Sequence, residues 1–276
     1  MQLFKTIAVT SLCLAMACVE DEAADSRPPE SDTRAEILAA YHGLDALPAR
    51  ASLICPNVIG GEDGMPVVFS VQLLPESVQE SAFLVENAAG EPITPACATL
   101  APAIEPLELR TVLLAGDFGT ADMPPKTVRV VGPLLDANGQ SLLGLETQAI
   151  TPLGDGPTLV LAESFDPNTQ GLAGECPETS TEVVQITWAG GVAGAGGMAL
   201  GEPQRLGITV TLADGRTVNP IALADDDPDN HVHLCLDSDV PATRVHIAAG
   251  LFEDPGHDPN PETQIDVQPQ TPETNP

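Results

Sequence analysis

Apolar residues along the chain come in short runs: Val67-Val68-Phe69-Ser70-Val71, Thr111-Val112-Leu113-Leu114, Val128-Arg129-Val130-Val131, Val183-Val184-Gln185-Ile186 and Ile208-Thr209-Val210. Clusters of Gly, Pro and Asp separate them. Runs rich in β-branched residues and bounded by turn formers predict strands. Because no helical period lies between the runs, the predicted fold class is all-β, a sandwich or barrel rather than a series of βαβ units. The pattern changes near the N-terminus, where Asp32-Thr33-Arg34-Ala35-Glu36 reads as a helix start and Ile37, Leu38 and Tyr41 share one helical face. A short helix ending near Gly43 and a connection are therefore expected over 34–51.

An internal repeat sets the domain count. Pro124 to Gly139 aligns without a gap with Pro241 to Gly256, matching Val128 with Val245, Val130 with Ile247, Leu134 with Leu251, Leu135 with Phe252 and Asp136 with Glu253. Upstream, Phe83, Val85, Gly90 and Pro95 match Ile208, Val210, Gly215 and Pro220 at identical spacing. Two copies of one sandwich follow, over 52–162 and 163–267, before a polar, Pro-rich tail at 268–276. Val67-Val68-Phe69-Ser70, Phe83-Leu84-Val85, Gly90, Val128-Arg129-Val130 and Leu135-Asp136-Ala137-Asn138-Gly139 resemble the bacterial immunoglobulin-like domains found in tandem on secreted and surface proteins. The resemblance implies two tandem immunoglobulin-like β-sandwiches serving as spacer or display modules. It speaks to fold more than to activity.

The first residues carry an address. Lys5 precedes an apolar run from Ile7 to Ala17 broken only by Thr10 and Ser11, a secretory signal too short for a stable transmembrane helix. Ala15-Met16-Ala17-Cys18 resembles the lipobox of bacterial lipoproteins, which implies removal of residues 1–17 and acylation of Cys18. By the same resemblance, Val19 after the lipidated cysteine implies transfer to the outer membrane. The expected partners are thus the lipid bilayer and an unidentified envelope or extracellular protein. Residues 18–33, dominated by Asp, Glu, Ser, Ala and Pro, read as an acidic tether.

Composition removes several functions. With 40 acidic against 10 basic side chains the net charge is -30, so nucleic-acid backbones and anionic lipid surfaces are repelled. Apart from Cys18, the exported part holds Cys55, Cys97, Cys176 and Cys235, and an even number in an exported chain reads as disulfides. Of the three pairings, Cys55 with Cys97 and Cys176 with Cys235 are favoured because each closes a loop within one copy.

Chemistry concentrates in Asp225-Asp226-Asp227-Pro228-Asp229-Asn230-His231-Val232-His233. Asp225, Asp227 and Asp229 offer the hard oxygens that Ca²⁺ takes, with Asp254 and Asp258 as further donors from a neighbouring loop. With Val232 and Leu234 turned to the core, His231 and His233 share the outer face, and His246 would join them for Zn²⁺ or Cu²⁺ if its strand lay alongside. The competing reading is a solvated acidic turn beside exposed polar strand positions. No Gly-x-Ser-x-Gly elbow, His-Glu-x-x-His or P-loop occurs, and Trp188 is expected in the core. The sequence therefore predicts a non-enzymatic envelope lipoprotein without a cofactor. A Ca²⁺ or transition-metal module in the second copy is the alternative, and an atypical hydrolase is the third reading.

Overall fold

In the computed structural model, which describes residues 34–43, 47, 53–58, 61–224 and 229–269, the regular secondary structure is almost wholly β-strand. The first half contributes β1 (Ile37–Tyr41), β2 (Asp63–Phe69), β3 (Phe83–Asn87), β4 (Pro92–Ile93), β5 (Cys97–Thr99), β6 (Thr111–Gly116), β7 (Pro125–Val130), β8 (Glu146–Thr147) and β9 (Ile150–Thr151). The second contributes β10 (Leu159–Phe165), β11 (Glu182–Trp188), β12 (Ile208–Leu212), β13 (Thr217–Val218), β14 (Ala222–Ala224), β15 (His231–Leu236), β16 (Ala242–Ile247), β17 (Thr263–Asp266) and β18 (Gln268–Pro269). Among the described residues one α-helix, α1 (Glu202–Gly207), interrupts them, with three single turns of 3-10 helix at Pro75–Ser77, Glu80–Ala82 and Ala195–Gly197.

These strands make two β-sandwiches of the same topology. In the first, sheet β5-β6-β2-β1-β9 faces sheet β4-β3-β7-β8, and in the second, sheet β14-β15-β11-β10-β18 faces sheet β13-β12-β16-β17. Substituting each strand of the first series by its counterpart in the second reproduces the order without exception. Register agrees as well: Phe83 lies opposite Val130 and Val85 opposite Val128, as Ile208 lies opposite Ile247 and Val210 opposite Val245. The matched residues Phe83, Val85, Val128 and Val130, with Ile208, Val210, Val245 and Ile247, are therefore inner-face positions of paired strands.

Inside the first sandwich Met65, Val67 and Phe69 of β2 meet Phe83, Val85, Val128 and Val130 of the opposing sheet. Inside the second, Val184, Ile186 and Trp188 meet Ile208, Val210, Val245 and Ile247, and Trp188 packs its ring 4.7 Å from that of Phe252. Alternation places such residues on one face, and burying each is worth about 1.5–3 kcal/mol. One disulfide joins Cys55 to Cys97 and the other Cys176 to Cys235, so each sandwich carries a covalent tie.

The N-terminal element corrects the sequence expectation. Residues Ile37–Tyr41 form a strand, antiparallel to β2 and parallel to β9, not a helix. A register shift between Ile37 and Ala39 marks a β-bulge, which turns Ile37 and Ala40 together into the core while Ala39 and Tyr41 face outward. A bulge thus imitates the three-residue spacing of a helix face, and pairing along a seven-residue buried strand outweighs local propensity. The same shift recurs between Leu159 and Leu161 in β10. That strand belongs to the second sandwich, so a division between 162 and 163 falls inside it, and the first sandwich begins at β1 rather than at 52. Signal segment, Cys18, tether and the tail from 270 onward lie outside the described residues.

Candidate functional site

One group of buried polar residues, Glu108, Arg110, Gln185, Asp229, Asn230, His231 and His233, lies where the sandwiches meet, within the one compact unit Ala35–Pro276. Strands β11 and β15 are buried on both faces: the inner face fills the core, and the outer face lies under a loop of the first sandwich. That loop, between β5 and β6, seats Leu107 against Phe165 and Val183 and brings Glu108 and Arg110 onto the outer face. Around this apolar seat hydrogen bonds pair part of the buried polar groups, while Gln185 Oε1 and His231 Nε2 have no partner among the described residues.

Gln185 and His233 are ladder partners, so their side chains emerge side by side on that outer face. His233 Nδ1 lies 2.7 Å from the Ala173 carbonyl, which can only accept, so Nδ1 carries the proton and Nε2 accepts from Gln185 Nε2 at 2.9 Å. Gln185 Nε2 also reaches Glu108 Oε1 at 3.4 Å, and His233 Nε2 stands 3.8 Å from the same oxygen. Burial drives His233 down to about 4, against the pull of the Ala173 carbonyl. His231, bonded through Nδ1 to Thr187 Oγ1 at 3.2 Å, is held well below the ordinary histidine range by burial, then by Arg110 and His233. Both rings are neutral at physiological pH.

Direct bonds tie the halves. Arg110 Nη2 of the first sandwich lies 2.7 Å from Glu163 Oε2 of the second, and Asn230 Nδ2 donates to Thr111 Oγ1 at 3.0 Å and to the Trp188 carbonyl at 2.8 Å. Tyr41 OH lies 2.9 Å from Asp254 Oδ2 and 2.7 Å from the Asp155 carbonyl, and burial followed by the Asp254 charge pushes the phenol upward. Burial also raises Asp254. A Cβ on Gly190 would stand 2.4 Å from the Tyr41 ring, so glycine there lets the ring approach the backbone of the second sandwich closely.

The metal candidates are distributed differently from the sequence expectation. His246 lies on β16, in the sheet opposite β15, and binds Glu262 Oε1 at 3.0 Å at the surface. A sandwich about 10 Å thick separates it from His231 and His233, because the connection after β15 crosses to the other sheet. His231 and His233 are on the predicted outer face, yet buried rather than open to water. Asp225 and Asp227 lie outside the described residues. Asp229 instead meets Glu105 and Glu108 from the first sandwich, their ligand oxygens within 4.8 Å of one another. Neither Asp254 nor Asp258 belongs to that group. Sequence reasoning missed Glu105 and Glu108 because nothing local marks them. Their corresponding loop in the repeat, which bears Asp229, was the available signal.

No family model and no curated protein matches the chain. Among solved structures it is similar to surface layer protein SbsC, domains 1-6, at 11% identity and a TM-score of 0.30, over 87% of this chain and 42% of that one. A second is the S-layer protein rSbsC(31-844), at 11% identity and a TM-score of 0.29, over 86% and 41%. The chain spans less than half the length of either, and likeness at this level defines neither fold nor function. Two disulfides within two β-sandwiches make this an extracellular or surface protein, since such bonds persist where the surroundings are oxidising.

Proposed function

We propose that the protein is a non-enzymatic envelope lipoprotein, anchored through Cys18, whose paired sandwiches act as a rigid spacer or display module. The observation that supports this best is the junction: an apolar seat around Leu107 and Phe165, the Arg110–Glu163 pair and the Tyr41–Asp254 bond join the two halves through separate elements. A spacer has to hold its ends at a set distance, and a junction with several buried ties resists hinge motion more than a flexible linker does. Labelling cells with an alkyne analogue of palmitate is expected to mark the wild type and not Cys18→Ala, with the label in the outer-membrane fraction. Spin labels, one in each sandwich, are expected to give a single narrow distance distribution. An unlabelled wild type would remove the anchor, and a broad distribution the spacer.

A second reading is supported by the meeting of Glu105, Glu108 and Asp229: a divalent-cation module at the junction, with Ca²⁺ as the ion suited to carboxylate oxygens. Calorimetric titration of Ca²⁺ is then expected to show one site per chain, lost in Glu108→Gln. Titration without heat, together with a melting temperature unmoved by EDTA, would dismiss it.

A further inference from the structure

The two copies differ in how they close one flank, between the connection that follows the first core strand and the connection leading to the edge strand. In the second sandwich α1 lies on this flank: Arg205 Nη1 donates to the Pro220 carbonyl at 2.6 Å, while Asn219 Nδ2 donates to the carbonyls of Leu206 at 3.1 Å and Ile208 at 2.6 Å. Counting from the matched pair Phe83 and Ile208, Glu80 occupies the place of Arg205, and Pro95 that of Pro220. A carboxylate cannot donate to a carbonyl. The first sandwich therefore lacks this tie.

Here it has a groove of about 410 Å³, lined by Pro75, Val78, Ala98, Leu100, Ile104 and Leu109. Ile104 stands at its lip, 61% exposed, and continues the apolar lining outward. One wall belongs to the connection that carries the exposed carboxylates Glu76 and Glu80, and Glu105 follows Ile104. The other wall is β5, which ends its sheet and keeps a half-exposed edge.

We propose that this groove docks an extended segment of a partner protein in which an aliphatic side chain stands next to Arg or Lys. The aliphatic group covers Ile104 and the apolar wall, the cation pairs with Glu80, which stands where Arg205 does in the second copy, and the backbone extends the sheet at β5. The exposed carboxylates Glu76 and Glu80 beside the lining residues Pro75 and Val78, together with a net charge of -30, select a basic segment over an acidic one. This deepens the display reading above by specifying the partner's chemistry.

The test uses the exported full-length chain and two fluorescein-labelled pentapeptides, Arg-Val-Leu-Val-Arg and Glu-Val-Leu-Val-Glu, followed by fluorescence anisotropy. The basic peptide is expected to bind at least tenfold more tightly than the acidic one. Its affinity should fall at least fivefold in Ile104→Asp and in Glu80→Arg, with melting temperatures unchanged, and stay constant in Met198→Asp on the second sandwich. Equal affinity for both peptides, no binding at millimolar concentration, or binding insensitive to both groove variants would overturn the proposal. The last would mark attraction to the acidic surface at large. Palmitate labelling of Cys18 is read separately, so failure of the groove and failure of the envelope reading are distinguishable.

Discussion

The two sandwiches share their inner faces and differ on their outer ones. Paired-strand register sets Phe69 against Trp188, Val67 against Ile186 and Met65 against Val184 as equivalent core positions. On the outer face of the same sheets, Thr111 corresponds to His231, Leu113 to His233, and Tyr41 to Glu163. Inner positions answer to one requirement, close packing of apolar volume, which tolerates swaps among similar hydrophobes. Outer positions answer to the neighbouring half, so each copy took the side chains that its own side of the junction needs. Even the disulfides obey this division: Cys97 lies opposite Ala115 across one rung, whereas Ala222 lies opposite Cys235 across the corresponding rung. The cysteine has changed strands while the rung has stayed.

This comparison can be broken at graded cost. Arg110→Met removes the positive charge from a junction that also holds Glu108, Glu163 and Asp229, and the expected loss is about 3–5 kcal/mol in urea denaturation. Its readout is decisive if the two halves then melt separately in calorimetry. Replacing either cysteine pair by Ser is expected to cost about 4 kcal/mol, nearly equal for both, because the closed loops of 42 and 59 residues differ little on a logarithmic scale.

The pH dependence sharpens the contrast between Leu113 and His233. An unfolded histidine titrates near 6.5 and His233 in the fold near 4, so its contribution is complete above 6.5 and is lost as pH falls toward 4. That loss is about 3 kcal/mol, and His231 adds to it in the same direction. His233→Leu, the residue of the first copy, should flatten the stability profile over this window. An unchanged slope would place the acid sensitivity elsewhere. Smallest of the four, Tyr41→Phe removes the bond to Asp254 and is expected to cost about 1–2 kcal/mol with the ring packing retained.

Much of the fold was legible in the chain because strand periodicity and turn residues are local. The matches of Val128 with Val245 and Phe83 with Ile208 became the same rung in both sandwiches. The short helix expected to end near Gly43 failed for an equally physical reason: Ile37 and Ala40 share a face through a bulge, and only the partner strand distinguishes a bulge from a helical turn. For the site, the outer direction of His231 and His233 followed from alternation along β15, but what covers them did not. His246 was misplaced because a strand's sequence neighbour can lie in the opposing sheet.

By itself, then, the sequence determined the all-β class, the duplication and the inner faces, since each depends on spacing within a few residues. Tertiary structure alone decided that the loop bearing Leu107, Glu108 and Arg110 would cover the second sandwich, bringing Asp229 to Glu105 and Glu108 and Tyr41 to Asp254. Those meetings join residues separated by more than a hundred positions, and no local pattern encodes which surface a loop will bury when two domains dock.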